Sequence, residues 1–129
     1  MICVDTSVWI AALRHHGGPE AHHLGELLDA DEVLLSIIVK LELLAGARPK
    51  DQTVLRDLLT ALPQAVPDGK TWGRIDRWLE VAVGRREHFG IADLMIAAAA
   101  ADHAAPVWSL DSDFARMEKL GLVARYPAP

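Results

Sequence analysis

Short apolar runs, each followed by a segment of helical spacing, constrain this chain more than any other feature. Ile2-Cys3-Val4 is the first such run, and it ends in Asp5. Thr6 or Ser7 behind it is placed to cap a helix reaching about Leu13. Glu32 to Leu35 and Pro106 to Ser109 read as further strands, with Gln64 to Val66 as a short strand or a simple link. Between them, apolar residues recur at helical spacing: Leu24, Leu27 and Leu28, then Val54, Leu55, Leu58, Leu59 and Leu62, then Trp72, Ile75, Leu79, Ala82 and Val83. Ser36 is placed to cap a helix over Ile37 to Ala47, Asp51 starts one that Pro63 ends, and Asp68 opens one to about Arg86. Ile91 to Asp102 forms another helix, whose Ala97–Ala101 run lets it lie close to a sheet, and Phe114 to Leu120 a short last one. Leu122 to Ala124 reads as a final edge strand. This alternation predicts an α/β fold with helices on both faces of a parallel sheet. Right-handed crossovers then put every strand's carboxyl end on one edge, where open α/β sheets bind ligands.

A chain of 129 residues, 51% of them hydrophobic, fits one domain with a sizeable core, spanning residues 1–129. No apolar run approaches a membrane span. The chain passes into Asp5 with no secretory signal ahead of it. Cys3 is the only cysteine, which excludes an intrachain disulfide and points to a reducing cytosol. The net charge of −5 argues against a nucleic-acid partner, unless the acidity is local. With four of the 18 carboxylates gathered on cations, the remainder nearly balances the 13 basic residues.

Four carboxylates meet that description. Asp5 ends the first strand, and Glu42 lies among Ile38, Leu41, Leu43 and Leu44, where full hydration is hard to reach. Asp93 sits in the first turn of an apolar helix, and Asp111 follows the strand that ends at Ser109, with Asp113 two residues on. Each alone has an ordinary use, as a cap, a turn residue or a solvated face. Four acids gathered at one sheet edge would repel one another, and a divalent cation removes that cost. An oxygen-only donor set selects Mg²⁺, with Mn²⁺ able to substitute, and such ions serve displacement at phosphorus.

The segments Val4-Asp5-Thr6-Ser7-Val8-Trp9, Leu41-Glu42-Leu43-Leu44-Ala45-Gly46, Ala92-Asp93-Leu94-Met95-Ile96-Ala97-Ala98 and Ser109-Leu110-Asp111-Ser112-Asp113-Phe114 resemble the signature blocks of PIN-domain ribonucleases. In order, spacing and length they look most like the VapC toxins of bacterial toxin–antitoxin pairs. The resemblance covers essentially the whole chain. It implies a three-layer α/β/α sandwich around a parallel sheet of four or five strands. It also implies a Mg²⁺-dependent endoribonuclease, leaving 5′-phosphate and 3′-hydroxyl ends and restrained by a VapB-type antitoxin. Homodimers and toxin–antitoxin hetero-oligomers are the implied assemblies. By motif position, Asp5, Glu42, Asp93 and Asp111 form the acidic quartet, and Asp113 matches an acid that sometimes joins the site. Asp5 and Asp93 are the implied direct ligands. Ser7 and Ser109 supply supporting hydroxyls.

Two other readings compete. A phosphatase of the haloacid dehalogenase type wants a second Asp two residues after the nucleophile, where this chain has Ser7. A catalytically silent PIN-like domain, binding only a partner or RNA, would not need the intact quartet. Arg14, Lys40, Arg48, Lys50, Arg85 and Arg86 lie near the acidic blocks in sequence and are candidate phosphate contacts; among them Arg14, Lys40, Arg85 and Arg86 are assigned to RNA binding. His15-His16 and His22-His23 match no standard zinc spacing and read as solvated or loop residues. Trp72 and Trp78 are six apart and cannot share a helix face, so one of them is expected at a partner surface, whereas Trp9 and Trp108 belong to the core.

Overall fold

The computed structural model describes residues 1–129. Four parallel strands form the sheet: β1 (Ile2–Val4), β2 (Val33–Ser36), β3 (Gln64–Ala65) and β4 (Val107–Trp108), in the order β3-β2-β1-β4. The helices are α1 (Thr6–Arg14), α2 (Pro19–Asp29), α3 (Ile37–Gly46), α4 (Gln52–Thr60), α5 (Gly69–Gly84), α6 (Ile91–Asp102) and α7 (Ser112–Lys119), with a single 3₁₀ turn at Pro49–Asp51. They flank the sheet, as the strand–helix alternation requires. Every residue of β1 and β2 is buried, which is why these strands read as unbroken apolar runs rather than alternating ones. Most of the core is one cluster built on the two central strands and the buried sides of α3 and α6. No helix is long and apolar enough to cross a membrane.

The sheet has four strands, the lower of the two expected counts. The edge strand expected over Leu122 to Ala124 does not form. Instead the chain runs beside β4 with one parallel bridge, Val107 to Arg125, flanked by Val107 N–H donating to the Ala124 carbonyl and Tyr126 N–H donating to the Val107 carbonyl. Two hydrogen bonds suffice to dock a terminal segment but not to make a strand.

Caps decide where the helices start. Ser36 caps α3, accepting from Ile38 N–H, as the sequence indicates. Asp68 caps α5 through a capping box with Thr71. At α1 the expectation fails: the cap is Asp5, not Thr6 or Ser7, and the helix begins at Thr6. Asp111 likewise caps α7, accepting from Asp113 N–H, so that helix starts at Ser112, two residues ahead of the expected Phe114. The alanine run of α6 is buried from Ala97 to Ala100, and the helix lies over β2 and against α3 and α5. Trp78 is buried and Trp72 is 51% exposed, so the two tryptophans of α5 do part company; Trp9 and Trp108 are in the core.

Candidate metal centre and active site

β1 and β4 are neighbouring parallel strands, so Asp5 and Ser109 emerge side by side from one sheet edge. Asp5 is 5% exposed. Its Oδ2 accepts from the Ser7 hydroxyl and from the Ser109 hydroxyl, both at 2.7 Å, and more weakly from Ser7 N–H at 3.4 Å. Ser7 Oγ in turn accepts from Leu110 N–H at 3.0 Å, and Ser109 Oγ from Asp111 N–H at 2.9 Å. The two hydroxyls thus fix one oxygen of Asp5 and lace α1 to the β4 end. Oδ1 receives no hydrogen bond from the chain, so it is the oxygen available to a ligand.

Asp93, in the first turn of α6, meets Asp111 and Asp113 across this edge. One carboxylate oxygen from each lies within 4.8 Å of the others. Burial pushes the Asp93 carboxyl up to about 6, and the charges of Asp111, Asp5 and Asp113 push in the same direction, with a hydrogen bond to Asp113 adding to it. That coupling ties Asp5 to the same constellation.

Glu42 does not enter the tight group. It is exposed on α3, contrary to the expectation from its leucine neighbours, because Leu41 beside it is itself 56% exposed and only Leu43 and Leu44 turn inward. Glu42 Oε1 accepts from the Thr6 hydroxyl at 2.8 Å, one residue from Asp5. This contact holds the α3 carboxylate at the start of α1, beside the site rather than within it.

A cation stands in the site that sequence reasoning missed. Arg116 on α7 donates from Nη2 to Asp113 Oδ1 at 2.7 Å and from Nη1 to Glu87, with its guanidinium 4.7 Å above the Phe89 ring centre. It follows Asp113 by three residues on a helix, and that spacing was the available signal. Asp113 is therefore already paired, whereas Asp93 and Asp111 accept from no cationic side chain. Arg14, Lys40, Arg85 and Arg86 form no ion pair with the acids. Arg14 closes α1 at the end away from Asp5, about 13 Å off at 1.5 Å per residue. Arg85 and Arg86 are exposed at the start of the turn leading to α6. His15, His16 and His22 are exposed, as expected; His23 alone departs, being partly buried on α2 and hydrogen-bonded to the Tyr126 hydroxyl.

The donor set fits a hard divalent cation. It offers carboxylates and hydroxyls only, and the one nearby thiol, Cys3, is pushed up to about 12 by burial and by the Asp5 charge, so it stays protonated. A single guanidinium faces the three clustered carboxylates, and the raised Asp93 carboxyl reflects first its burial and then the repulsion of Asp111, Asp5 and Asp113, a cost that a cation relieves.

The PIN domain family model matches residues 2–120, and the chain belongs to that family. Ribonuclease VapC18 of Mycobacterium tuberculosis is 33% identical over 123 residues, covering 91% of this chain and 87% of that protein. Within the family the chain is of the VapC type. Solved structures carry the same fold. The chain superposes on VapBC2 of Rickettsia felis, bound to a promoter DNA fragment, with a TM-score of 0.78 at 19% identity over 98% of each chain. FitAcB of Neisseria gonorrhoeae gives 0.75 at 23% identity, again over 98% of each chain.

Proposed function

We propose that this chain is a Mg²⁺-dependent endoribonuclease, the toxin of a VapBC-type pair. The observation that carries the reading is the convergence of Asp93, Asp111 and Asp113 within 4.8 Å, electrostatically coupled to Asp5, at the carboxyl edge of a PIN-family sheet. In this reading Asp5 Oδ1, Asp93 and Asp111 hold the cation, with Asp113, tethered by Arg116, orienting water behind them. Ser7 and Ser109 keep Asp5 in one rotamer, and Glu42, held by Thr6, completes the outer acidic rim. When bound, the cation supplies Lewis-acid activation of water and neutralises charge at the scissile phosphate. Arg85, Arg86, Lys40 and Arg14 remain the proposed distant phosphate contacts.

VapC18 is named a ribonuclease, and several fold relatives were solved as VapBC complexes; both support the activity and a VapB-type partner. Leu13 and Leu41, on the packed pair α1 and α3, are 45% and 56% exposed and suit an apolar antitoxin segment beside the site. Trp72, Leu79 and Val83 form an exposed stripe along α5, which suits a homodimer contact. The reading places the protein in the cytoplasm as a single PIN domain. The test is cleavage of a single-stranded RNA by the purified chain. Cleavage that requires Mg²⁺ or Mn²⁺, is lost in EDTA and is lost in Asp93→Asn supports it. RNA binding without cleavage under every divalent cation tried would refute it.

A further inference from the structure

Beside the acidic cluster lies a cavity of about 440 Å³, within the roughly 300–1,000 Å³ typical of small-molecule sites. Three rings from three distant parts of the chain form its wall. His23 of α2 meets the edge of Trp108 of β4, with ring centres 5.2 Å apart at 67°. The same imidazole stacks on Tyr126, with centres 5.7 Å apart and planes 9° from parallel, while its Nε2 shares a 2.7 Å hydrogen bond with the phenol. Trp108 is buried, whereas His23 and Tyr126 are only partly covered. Tyr126 is fixed from behind by its backbone bond to Val107, so the aromatic wall is preformed.

The rim is charged and incompletely used. Glu20, at the start of α2, forms no ion pair. Arg125 spends its Nε on Glu118 at 3.2 Å, and its two terminal nitrogens donate to nothing in the chain. Ser109, which donates to Asp5, and Leu110, which donates to Ser7 and precedes Asp111, also line the cavity. Two residues of extended chain reach at most about 7 Å, so an RNA with its phosphate at the acids presents an adjoining nucleotide to the cavity. A ring cluster serving only to fasten the C-terminal segment would need neither the open space nor the unspent charges.

We propose that this cavity receives an unpaired nucleobase next to the scissile phosphate, and that the base is guanine; this rests on the RNA-cleaving reading above. The aromatic wall supplies a stacking face. Glu20 faces the cavity as an acceptor and Arg125 as a donor. Guanine alone among the four bases offers two N–H donors on one edge, N1 and N2, and two acceptors on another, O6 and N7. Uracil, with one donor, fits this pair worst.

The test separates this inference from the activity. Guanosine 5′-monophosphate is titrated into the metal-free chain, following tryptophan fluorescence, since Trp108 lines the cavity. The expected result is saturable quenching, weaker with uridine 5′-monophosphate, with affinity falling at least fivefold in Glu20→Gln and in Arg125→Ala. Both changes lie at the rim and leave the core intact. Tyr126→Ala should lower affinity by about five- to a hundredfold, the span expected for one lost stacking partner, and Tyr126→Phe by far less. On a randomised RNA pool, the wild type should cut beside guanine, and Glu20→Gln should lose that preference while still cutting. Equal affinities across the rim variants, a preference for another base, or loss of antitoxin binding in place of nucleotide binding would each overturn the proposal. Guanosine binding with no RNA cleavage would uphold the cavity and refute the nuclease reading.

Discussion

Replacing Asp93 by Asn should stabilise the metal-free protein while abolishing cleavage. Burial and three neighbouring carboxylates raise the Asp93 carboxyl from 3.8 to about 6. At 1.36 kcal/mol per pH unit this corresponds to roughly 3 kcal/mol of penalty on the charged form. The side chain is partly exposed, and solvent screening reduces that to about 1–1.5 kcal/mol. The α6 dipole opposes this, favouring a charge in the first turn by about 0.3–1 kcal/mol. The net gain on substitution at pH 7 in EDTA is then up to about 1 kcal/mol, or a rise in Tm of about 2–6 °C. The pH dependence has a definite sign. The folded chain takes up this proton at about 6 and the unfolded chain near 3.8, so the wild type gains stability as pH falls through that window. The variant lacks that gain, and its advantage should vanish by about pH 4. Saturating Mg²⁺ should reverse the order at pH 7, because only the wild type gains the binding linkage, about 2.7 kcal/mol at a hundredfold excess over Kd. The assay is thermal melting of both proteins from pH 4 to 7, with EDTA and with Mg²⁺. A variant destabilised by more than about 1 kcal/mol in EDTA would refute the reasoning and make Asp93 a structural helix-terminal acid.

Arg116→Met should release Asp113 and tighten Mn²⁺ binding several-fold by calorimetry, because a competing cation leaves the site; unchanged or weaker binding would show that Arg116 helps to build it. Thr6→Val removes the hydroxyl held by Glu42, and cleavage should fall about two- to tenfold, as for one exposed hydrogen bond; a loss matching that of Asp93→Asn would place Glu42 in the metal's inner coordination. Leu41→Glu should weaken antitoxin binding at least tenfold in a pull-down titration without changing cleavage of RNA by the free chain. An antitoxin Arg or Lys is expected among the carboxylates, so replacing the antitoxin's basic residues one at a time should restore cleavage while binding persists; if none does, inhibition works by blocking RNA access elsewhere.

Local signals carried the fold. β1 and β2 were legible because full burial leaves nothing but apolar residues, α3 because Ser36 offers a cap ahead of an apolar run, and α6 because its long alanine-rich run, with Asp93 in the first turn, is too long for a strand. Asp5 was legible as an acid at a strand end and as one possible cap, but Thr6 and Ser7 offer equally good capping chemistry, and only the backbone geometry decides for Asp5. Glu42 misled because an exposed leucine beside it looks in sequence like a buried one; Leu41 faces outward. Arg116 was within reach, three residues after Asp113 on a helix, but its contacts with Glu87 and Phe89, like the ring cluster, escaped for a different reason. Phe89 and Glu87 lie nearly 30 residues before Arg116, and His23 meets Tyr126 across 103 positions. No periodicity encodes such meetings.

The caps bear on how this chain would be lost under selection. Asp5 and Asp111 each start a helix as well as serving the acidic cluster, so replacing either by a residue that cannot cap costs about 0.5–2 kcal/mol in addition to activity. Asp93 caps nothing, because Gly90 occupies the cap of α6, and its favourable place in the first turn is outweighed by the charges around it. A population escaping the chain's toxicity would find at Asp93 a change that disarms the site and leaves a sturdier protein, still able to occupy the antitoxin. Silenced descendants should therefore keep Asp5 and Asp111 long after Asp93 has drifted, and the order of loss along such a lineage would record which acids the fold itself needs.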